Sequence, residues 1–274
     1  MNSLESKFVT TLGYQTHYIE KGEGEPLLLI HGGGAGADAR GNWVGPCMDI
    51  LAEKRRVIAY DMVGFGSSDA PDPETFDYGP ETRVDQLIAF IEALGYESVD
   101  IIGNSMGGRT AAAVCIRRPE LVRNLILMGS AGLDRGMGGA LRALVEYDFT
   151  YEGMKRIVEA LTNDNYVIDP KMVQYRLEVS LKEAQRKAFA QTMKELVKRE
   201  GLHLDPDDIA TIKQRTLVVN GKNDKVVPME QGYRYMQLIE NSTGVFLPNC
   251  GHWAMIEHPQ KFAHIALEFL EGRI

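Results

Sequence analysis

Apolar positions follow two alternating rhythms along the chain. Near-continuous apolar runs at Pro26-Leu-Leu-Leu-Ile-His31, Arg56-Val-Ile-Ala-Tyr60, Val99 to Gly103, Arg123-Asn-Leu-Ile-Leu-Met128 and Arg215-Thr-Leu-Val-Val-Asn220 predict strands buried on both faces. Between them the spacing turns helical. Val84, Leu87, Ile88, Ile91 and Leu94 form one apolar stripe and predict a sheet-facing helix over 82–94, and Asn42-Trp43 opens another through Leu51. At the start, Phe8 to Thr11 and Tyr14 to Glu20 alternate apolar and polar around Leu12-Gly13, which predicts a hairpin at a sheet edge. The strand Thr243 to Leu247 and a closing helix from about Pro259 to Leu270 complete the series. Successive strand-helix units predict an α/β domain: a mostly parallel eight-stranded sheet, helices on both faces, and ligands beyond the carboxyl ends of the strands.

The alternation lapses between Leu133 and Asp205, where the pattern is helical throughout. Met154, Ile157, Val158 and Leu161 make one stripe, and Asp169-Pro170 is a cap and first-turn signal for a helix containing Met172, Val173 and Leu177. The expected organisation is a core of residues 1–132 and 206–274, with 133–205 inserted at the sheet's carboxyl edge as a helical lid.

The 274 residues suit one α/β domain with an insertion, and the 44% hydrophobic content is ordinary for a globular chain. No apolar run approaches the length needed to cross a bilayer, and the first residues lack the basic start and apolar block of a signal peptide, so a cytoplasmic protein is expected. A formal net charge of -8 argues against nucleic acid and acidic membrane surfaces as partners. It also means that an anionic substrate needs a local cation to capture it. Cys47, Cys115 and Cys250 are spaced like neither a metal site nor a disulfide framework and are expected to be reduced packing residues. The sequence offers no Cys/His ligand cluster for a metal.

The chemistry concentrates in Val99-Asp-Ile-Ile-Gly-Asn-Ser105-Met-Gly-Gly108, an apolar strand that breaks into Gly-x-Ser-x-Gly and runs into an Ala-rich helix. Gly103 and Gly107 leave room for a sharp turn that holds Ser105 at its apex. Ser105 needs a base, because a hydroxyl is a weak nucleophile at neutral pH. His252, in the turn Pro248-Asn-Cys-Gly-His252, can serve as that base, and Asp224, just past the strand ending at Asn220, can fix its tautomer. All three fall beyond strand carboxyl ends, and their order is the one such a sheet requires. His31, His17, His203, His258 and His264 compete for the base and Asp134 for the acid, whereas Asp61 reads as a residue that satisfies turn amides. The glycine loop His31-Gly-Gly-Gly-Ala-Gly36 lets backbone N–H groups approach a ligand, so the oxyanion hole is assigned to the amides of Met106 and Gly33.

Together these residues resemble the α/β-hydrolase fold over nearly the whole chain. More narrowly, His31-Gly-Gly-Gly with Asn42, Gly103-Asn-Ser-Met-Gly-Gly108, Arg176 and Gly251-His-Trp253 resemble the meta-cleavage product hydrolases. That resemblance implies hydrolysis of the carbon–carbon bond of 2-hydroxy-6-oxo-6-arylhexa-2,4-dienoates by a cofactor-free homodimer or higher homo-oligomer. It places Arg176 on the substrate carboxylate and 2-oxo end with Asn42, Asn104 and Gly34. Trp253 packs beside the dienoate, and Val226 and Val227 border the pocket for the group on C6. Chemistry independently favours an arginine, whose planar fork pairs bidentately with a carboxylate. The alternatives are a carboxylesterase or lactonase using the same triad and, in a different class, a non-catalytic small-molecule receptor. Haloalkane dehalogenase and epoxide hydrolase chemistry would need a carboxylate at the position of Ser105.

Overall fold

The computed structural model describes residues 4–133 and 142–274. Its centre is one eight-stranded sheet made of β1 (Lys7–Thr11), β2 (Tyr14–Lys21), β3 (Pro26–Ile30), β4 (Arg56–Tyr60), β5 (Val99–Asn104), β6 (Val122–Met128), β7 (Arg215–Gly221) and β8 (Ser242–Leu247). The order across the sheet is β1-β2-β4-β3-β5-β6-β7-β8. β1 and β2 run antiparallel, and every pairing from β4 to β8 is parallel. Leu12 and Gly13 adopt φ of 52° and 89°, the positive values that a two-residue hairpin turn requires.

The apolar runs are buried as their pattern implies: Leu27 to Ile30, Val57 to Tyr60 and Leu125 to Leu127 are all fully inaccessible. The helix Pro80–Ala93 turns Val84, Leu87, Phe90 and Ile91 to the core, and it carries Arg83 and Gln86 into the interior with them. The helix expected from Asn42 to Leu51 is in fact two, Ala39–Trp43 and Pro46–Leu51. Pro46 has no N–H to continue the first helix and disfavours helical backbone at the preceding residue, and Gly45 takes φ 140° to make the break. Cys47, Cys115 and Cys250 are free and buried.

Between β6 and β7 the described residues form the helices Arg142–Val145, Tyr151–Leu161, Pro170–Ser180, Glu183–Lys198 and Pro206–Ile209. This segment is less continuously helical than its sequence suggests. Residues 163–169 form an extended connection that ends where Asp169 caps the next helix through the Lys171 amide. The stripe Met154, Ile157, Val158 and Leu161 is buried. Among the described residues no helix is long and apolar enough to cross a membrane.

The carboxyl ends of β3 and β4 are locked together by two buried polar side chains. The Met62 amide donates to His31 Nε2 at 3.0 Å, so Nδ1 carries the ring proton and donates it to the Gly32 carbonyl at 2.7 Å. Asp61 accepts from the amides of Ala39 and Ser67, each at 2.7 Å, and pairs with His17 Nδ1 at 2.7 Å. Its work is to hold loops, as its place in a turn implies.

Full burial pushes the pKa of His31 down to about 4 from 6.5, so the ring is neutral at physiological pH. The unfolded chain therefore takes up a proton on His31 that the folded chain refuses, and stability falls as pH drops from about 6.5 toward 4. The full effect is on the order of 3 kcal/mol. Urea titrations at pH 7, 6, 5 and 4.5 should show this decline in the wild-type protein, and the His31→Asn protein should lose that component of the pH slope.

Candidate active site

Steric demands at the end of β5 place Ser105. A Cβ added to Gly103 would lie 2.5 Å from the Gly107 carbonyl oxygen, and one on Gly107 would lie 2.6 Å from the carbonyl oxygens of Ile30 and His31. Only glycine lets strand and helix pass this closely. Ser105 sits at the bend with φ 56° and ψ -118°, backbone that L-residues rarely adopt, and it precedes the helix Met106–Arg117. Its amide donates to the Met128 carbonyl at 3.1 Å, and its carbonyl accepts from the amides of Arg109 and Ala131. The strained residue is thus held from both sides.

His252 and Asp224 meet by a second close approach. A Cβ on Gly221 would fall 2.1 Å from the Gly251 carbonyl oxygen, so the end of β7 tolerates no side chain where the His252 turn crosses it. His252 Nδ1 pairs with Asp224 Oδ2 at 2.8 Å, while Asp224 Oδ1 accepts from the amides of Val226 (2.8 Å) and Val227 (2.9 Å). Gly129, at φ 50°, lies against this pair, since a Cβ there would come within 3.0 Å of His252 Nδ1. The His252 amide donates to the Leu161 carbonyl at 3.0 Å. Glu257, which no sequence motif marked, gathers the amides of Gly251, Trp253 and Asn163 and so clamps both flanks of His252. Burial lifts its carboxyl above the usual range, and those amides oppose the rise.

Ser105 and His252 line one cavity that opens in part to solvent. No hydrogen bond joins them among the described residues; His252 presents its Nδ1 to Asp224 and its ring to the cavity that Ser105 borders. The other histidines stand elsewhere. His31 is tied beneath the glycine loop, His17 is bound to Asp61, His258 and His264 bond backbone carbonyls, and His203 does not border the cavity. Asp134 lies outside the described residues.

Gly33, Gly34, Asn42, Asn104, Met106, Arg176, Val226 and Trp253 border the same cavity. Gly33 packs tightly on Met106, since a Cβ on it would lie 2.8 Å from Met106 Cε. Val227, expected at the wall, does not border the cavity; its amide, like that of Val226, donates to Asp224, and its carbonyl accepts from Asn220 Nδ2 at 3.0 Å. Asn104 both anchors the elbow and faces the cavity. Its Nδ2 donates to the Met128 carbonyl at 3.1 Å, and its buried Oδ1 has no partner.

Arg176 is fully buried, yet its partners are all neutral. Nη1 donates to Asn42 Oδ1 at 3.2 Å, Nη2 to the Ala35 carbonyl at 3.4 Å, the guanidinium lies 4.6 Å from the Trp253 ring centroid, and Nε has no partner. Burial lowers its pKa to about 10, with Asp38 opposing, so it remains a cation at neutral pH. Asn42 Nδ2 is also buried without a partner. A guanidinium held against an indole face, with a donor unspent among the described residues, has the geometry to pair with a planar carboxylate.

The far wall escaped sequence reasoning. Tyr78, Pro80 and Arg83 come from the start of the helix Pro80–Ala93, and Thr192, Met193, Glu195 and Leu196 come from the helix Glu183–Lys198. One signal was present: Arg83 lies four residues before Leu87 and so falls on the buried stripe.

The chain matches the family model described as alpha/beta hydrolase fold over residues 25–259. It is 48% identical to a 2-hydroxy-6-oxo-6-(2'-aminophenyl)hexa-2,4-dienoic acid hydrolase of Metapseudomonas resinovorans, covering 97% of this chain and 91% of that protein. The crystal structure of a serine hydrolase involved in carbazole degradation is 47% identical, with a TM-score of 0.90 over 98% of this chain and 99% of that one. A variant of a meta-cleavage product hydrolase, also solved as a crystal structure, is 32% identical with a TM-score of 0.91 over 97% of both chains. A sheet, elbow and cavity of this form, matched along almost the full length of these proteins, place the chain in the α/β-hydrolase fold family and, within it, among the meta-cleavage product hydrolases.

Proposed function

We propose that the protein hydrolyses the carbon–carbon bond of 2-hydroxy-6-oxo-6-arylhexa-2,4-dienoates, giving an aromatic acid and 2-hydroxypenta-2,4-dienoate. The observation that carries this reading is Arg176, a buried cation with no acidic partner among the described residues, on the wall of the cavity that Ser105 and His252 share. Esters in general have no need of such a group. A dienoate does, since its carboxylate must leave water in a chain whose overall charge is -8.

In this reading Arg176, with Asn42, Asn104 and Gly34, holds the carboxylate and 2-oxo end, and Trp253 lies along the dienoate. The dienol first becomes its keto tautomer, which makes C5 a competent carbanion leaving group. His252 takes the Ser105 proton as Oγ bonds to C6, and the amides of Met106 and Gly33 receive the oxyanion. Collapse breaks the C5–C6 bond, its electron pair passes through the C3–C4 double bond onto the 2-oxygen, and the proton that His252 took from Ser105 neutralises that dienolate as 2-hydroxypenta-2,4-dienoate. Water, deprotonated by His252, then attacks the acyl group on Ser105 and releases the aromatic acid. Asp224 holds the His252 Nδ1 proton throughout. The inserted segment 133–205 acts as a lid, its described residues Leu144, Leu161 and Arg176 closing the cavity over the substrate. Val226 offers a small wall to the group on C6, which favours an aryl substituent.

Mixing the protein with the yellow 6-phenyl dienoate should bleach its colour rapidly, and Ser105→Ala should leave no acid product while still permitting tautomerisation. Replacing Arg176 by Met should lower kcat/KM for the dienoate by about 100-fold, the cost of roughly 3 kcal/mol of charge-assisted hydrogen bonding. A neutral aryl ester should be nearly unaffected by that change; equal losses on both would favour a general esterase. In parallel assays kcat/KM should be higher for the 6-phenyl than for the 6-methyl dienoate, and the reverse order would remove the aryl assignment.

A further inference from the structure

The cavity is lined by two buried guanidiniums, and the reaction proposed above uses only Arg176. Arg83 is the other, with 1% of its surface exposed. Its Nη1 donates to the carbonyls of Tyr78 (2.6 Å) and Gly79 (2.9 Å), its Nη2 donates to Thr192 Oγ1 (2.8 Å), and its buried Nε has no partner. All of these partners are neutral. Burial lowers its pKa to about 10, which leaves it charged at neutral pH.

With the Phe65 ring centroid 5.7 Å from its guanidinium and no carboxylate paired to it among the described residues, Arg83 keeps a charge that a tie between Tyr78, Gly79 and Thr192 does not require, because a neutral donor would satisfy two carbonyls and a hydroxyl without desolvating a cation. The acidic side chain on the described cavity wall, Glu195, is committed elsewhere, to Arg199 Nε at 3.2 Å and Lys198 Nζ at 3.7 Å. Arg83 and Arg176 share no partner. Arg176 is held by Asn42, Ala35 and Trp253, whereas Arg83 is held where the helix Glu183–Lys198 crosses the start of the helix Pro80–Ala93. The cavity thus has two separate cationic walls, and a substrate whose carboxylate sits on Arg176 and whose C6 meets Ser105 leaves the other wall to the C6 substituent.

We propose that Arg83 determines specificity by recognising an acceptor oxygen, carboxylate or phenolic, carried on the C6 substituent of the substrate. This rests on the dienoate reading above. The unpartnered Nε supplies the donor, and the uncompensated charge favours an anion over a hydrocarbon edge.

The test compares kcat/KM for three dienoates, with 6-phenyl, 6-(2-hydroxyphenyl) and 6-(2-carboxyphenyl) groups, in the wild-type, Arg83→Met and Arg83→Lys proteins. Ratios taken between substrates on one preparation cancel any loss of folded protein. The wild type should prefer at least one oxygen-bearing substrate to 6-phenyl, and the preferred one identifies the oxygen. Arg83→Met should lower that ratio by about 10- to 100-fold, the range for one lost charge-assisted hydrogen bond. Arg83→Lys, which keeps the cation, should restore part of it. A wild-type preference for 6-phenyl, or a fall in all three rates with constant ratios in Arg83→Met, overturns the inference and leaves the dienoate reading intact. Wild-type protein that turns over none of the three overturns both.

Discussion

Backbone meeting backbone at the end of β5 is the constraint on which the rest of the structure depends. Gly103 lies against Gly107 and Gly108, and Gly107 lies against the carbonyls that end β3, at distances that leave no room for a methyl group. Because strand and helix come this close, the chain must reverse within a single residue, and Ser105 takes the unfavourable dihedrals that result. Such strain persists only where the surroundings over-determine it. Here they do, through the Met128 carbonyl on one side and the Arg109 and Ala131 amides on the other. The same bend puts the Met106 amide at the start of a helix beside the glycine loop that follows β3, so one steric fact sets both the position of the hydroxyl and the positive potential around it.

A similar logic assembles the partner side. The turn carrying His252 reaches Asp224 because Gly221 and Gly129 each leave a gap where a side chain would intrude. Glu257 then fixes that turn by collecting amides on both sides of the histidine, and Asp224 is aimed by the amides of Val226 and Val227. The imidazole is oriented by backbone groups that belong to the rigid sheet edge, which is the support a precise site requires.

Charge placement gives the cavity its character. Acidic residues outnumber basic ones in the chain, yet the walls around Ser105 carry two buried arginines bonded only to neutral atoms. Burying a cation without a counter-ion is costly, and structures that retain one commonly do so for a ligand. The segment between β6 and β7 supplies Arg176, and with Thr192 it supplies the hydroxyl that holds Arg83. The inserted helices therefore bring recognition to a core that brings reactivity.

The sequence by itself determined the sheet, because alternation of continuously apolar runs with stripes at helical spacing is a local property of the chain, and it marked the elbow, because glycine two positions either side of a serine encodes a steric need. It also ordered Ser105, Asp224 and His252, since a parallel sheet sends every strand end to one edge. The break at Gly45-Pro46 was written locally and passed over. Only the tertiary structure decided that Val227 serves Asp224 through its backbone instead of bordering the cavity, that Glu257 clamps the histidine turn, and that Arg83 shares a cavity with Arg176. Each of these depends on elements far apart in the chain packing at a particular distance, and apolar periodicity specifies which face of a helix is buried without specifying what that face will meet.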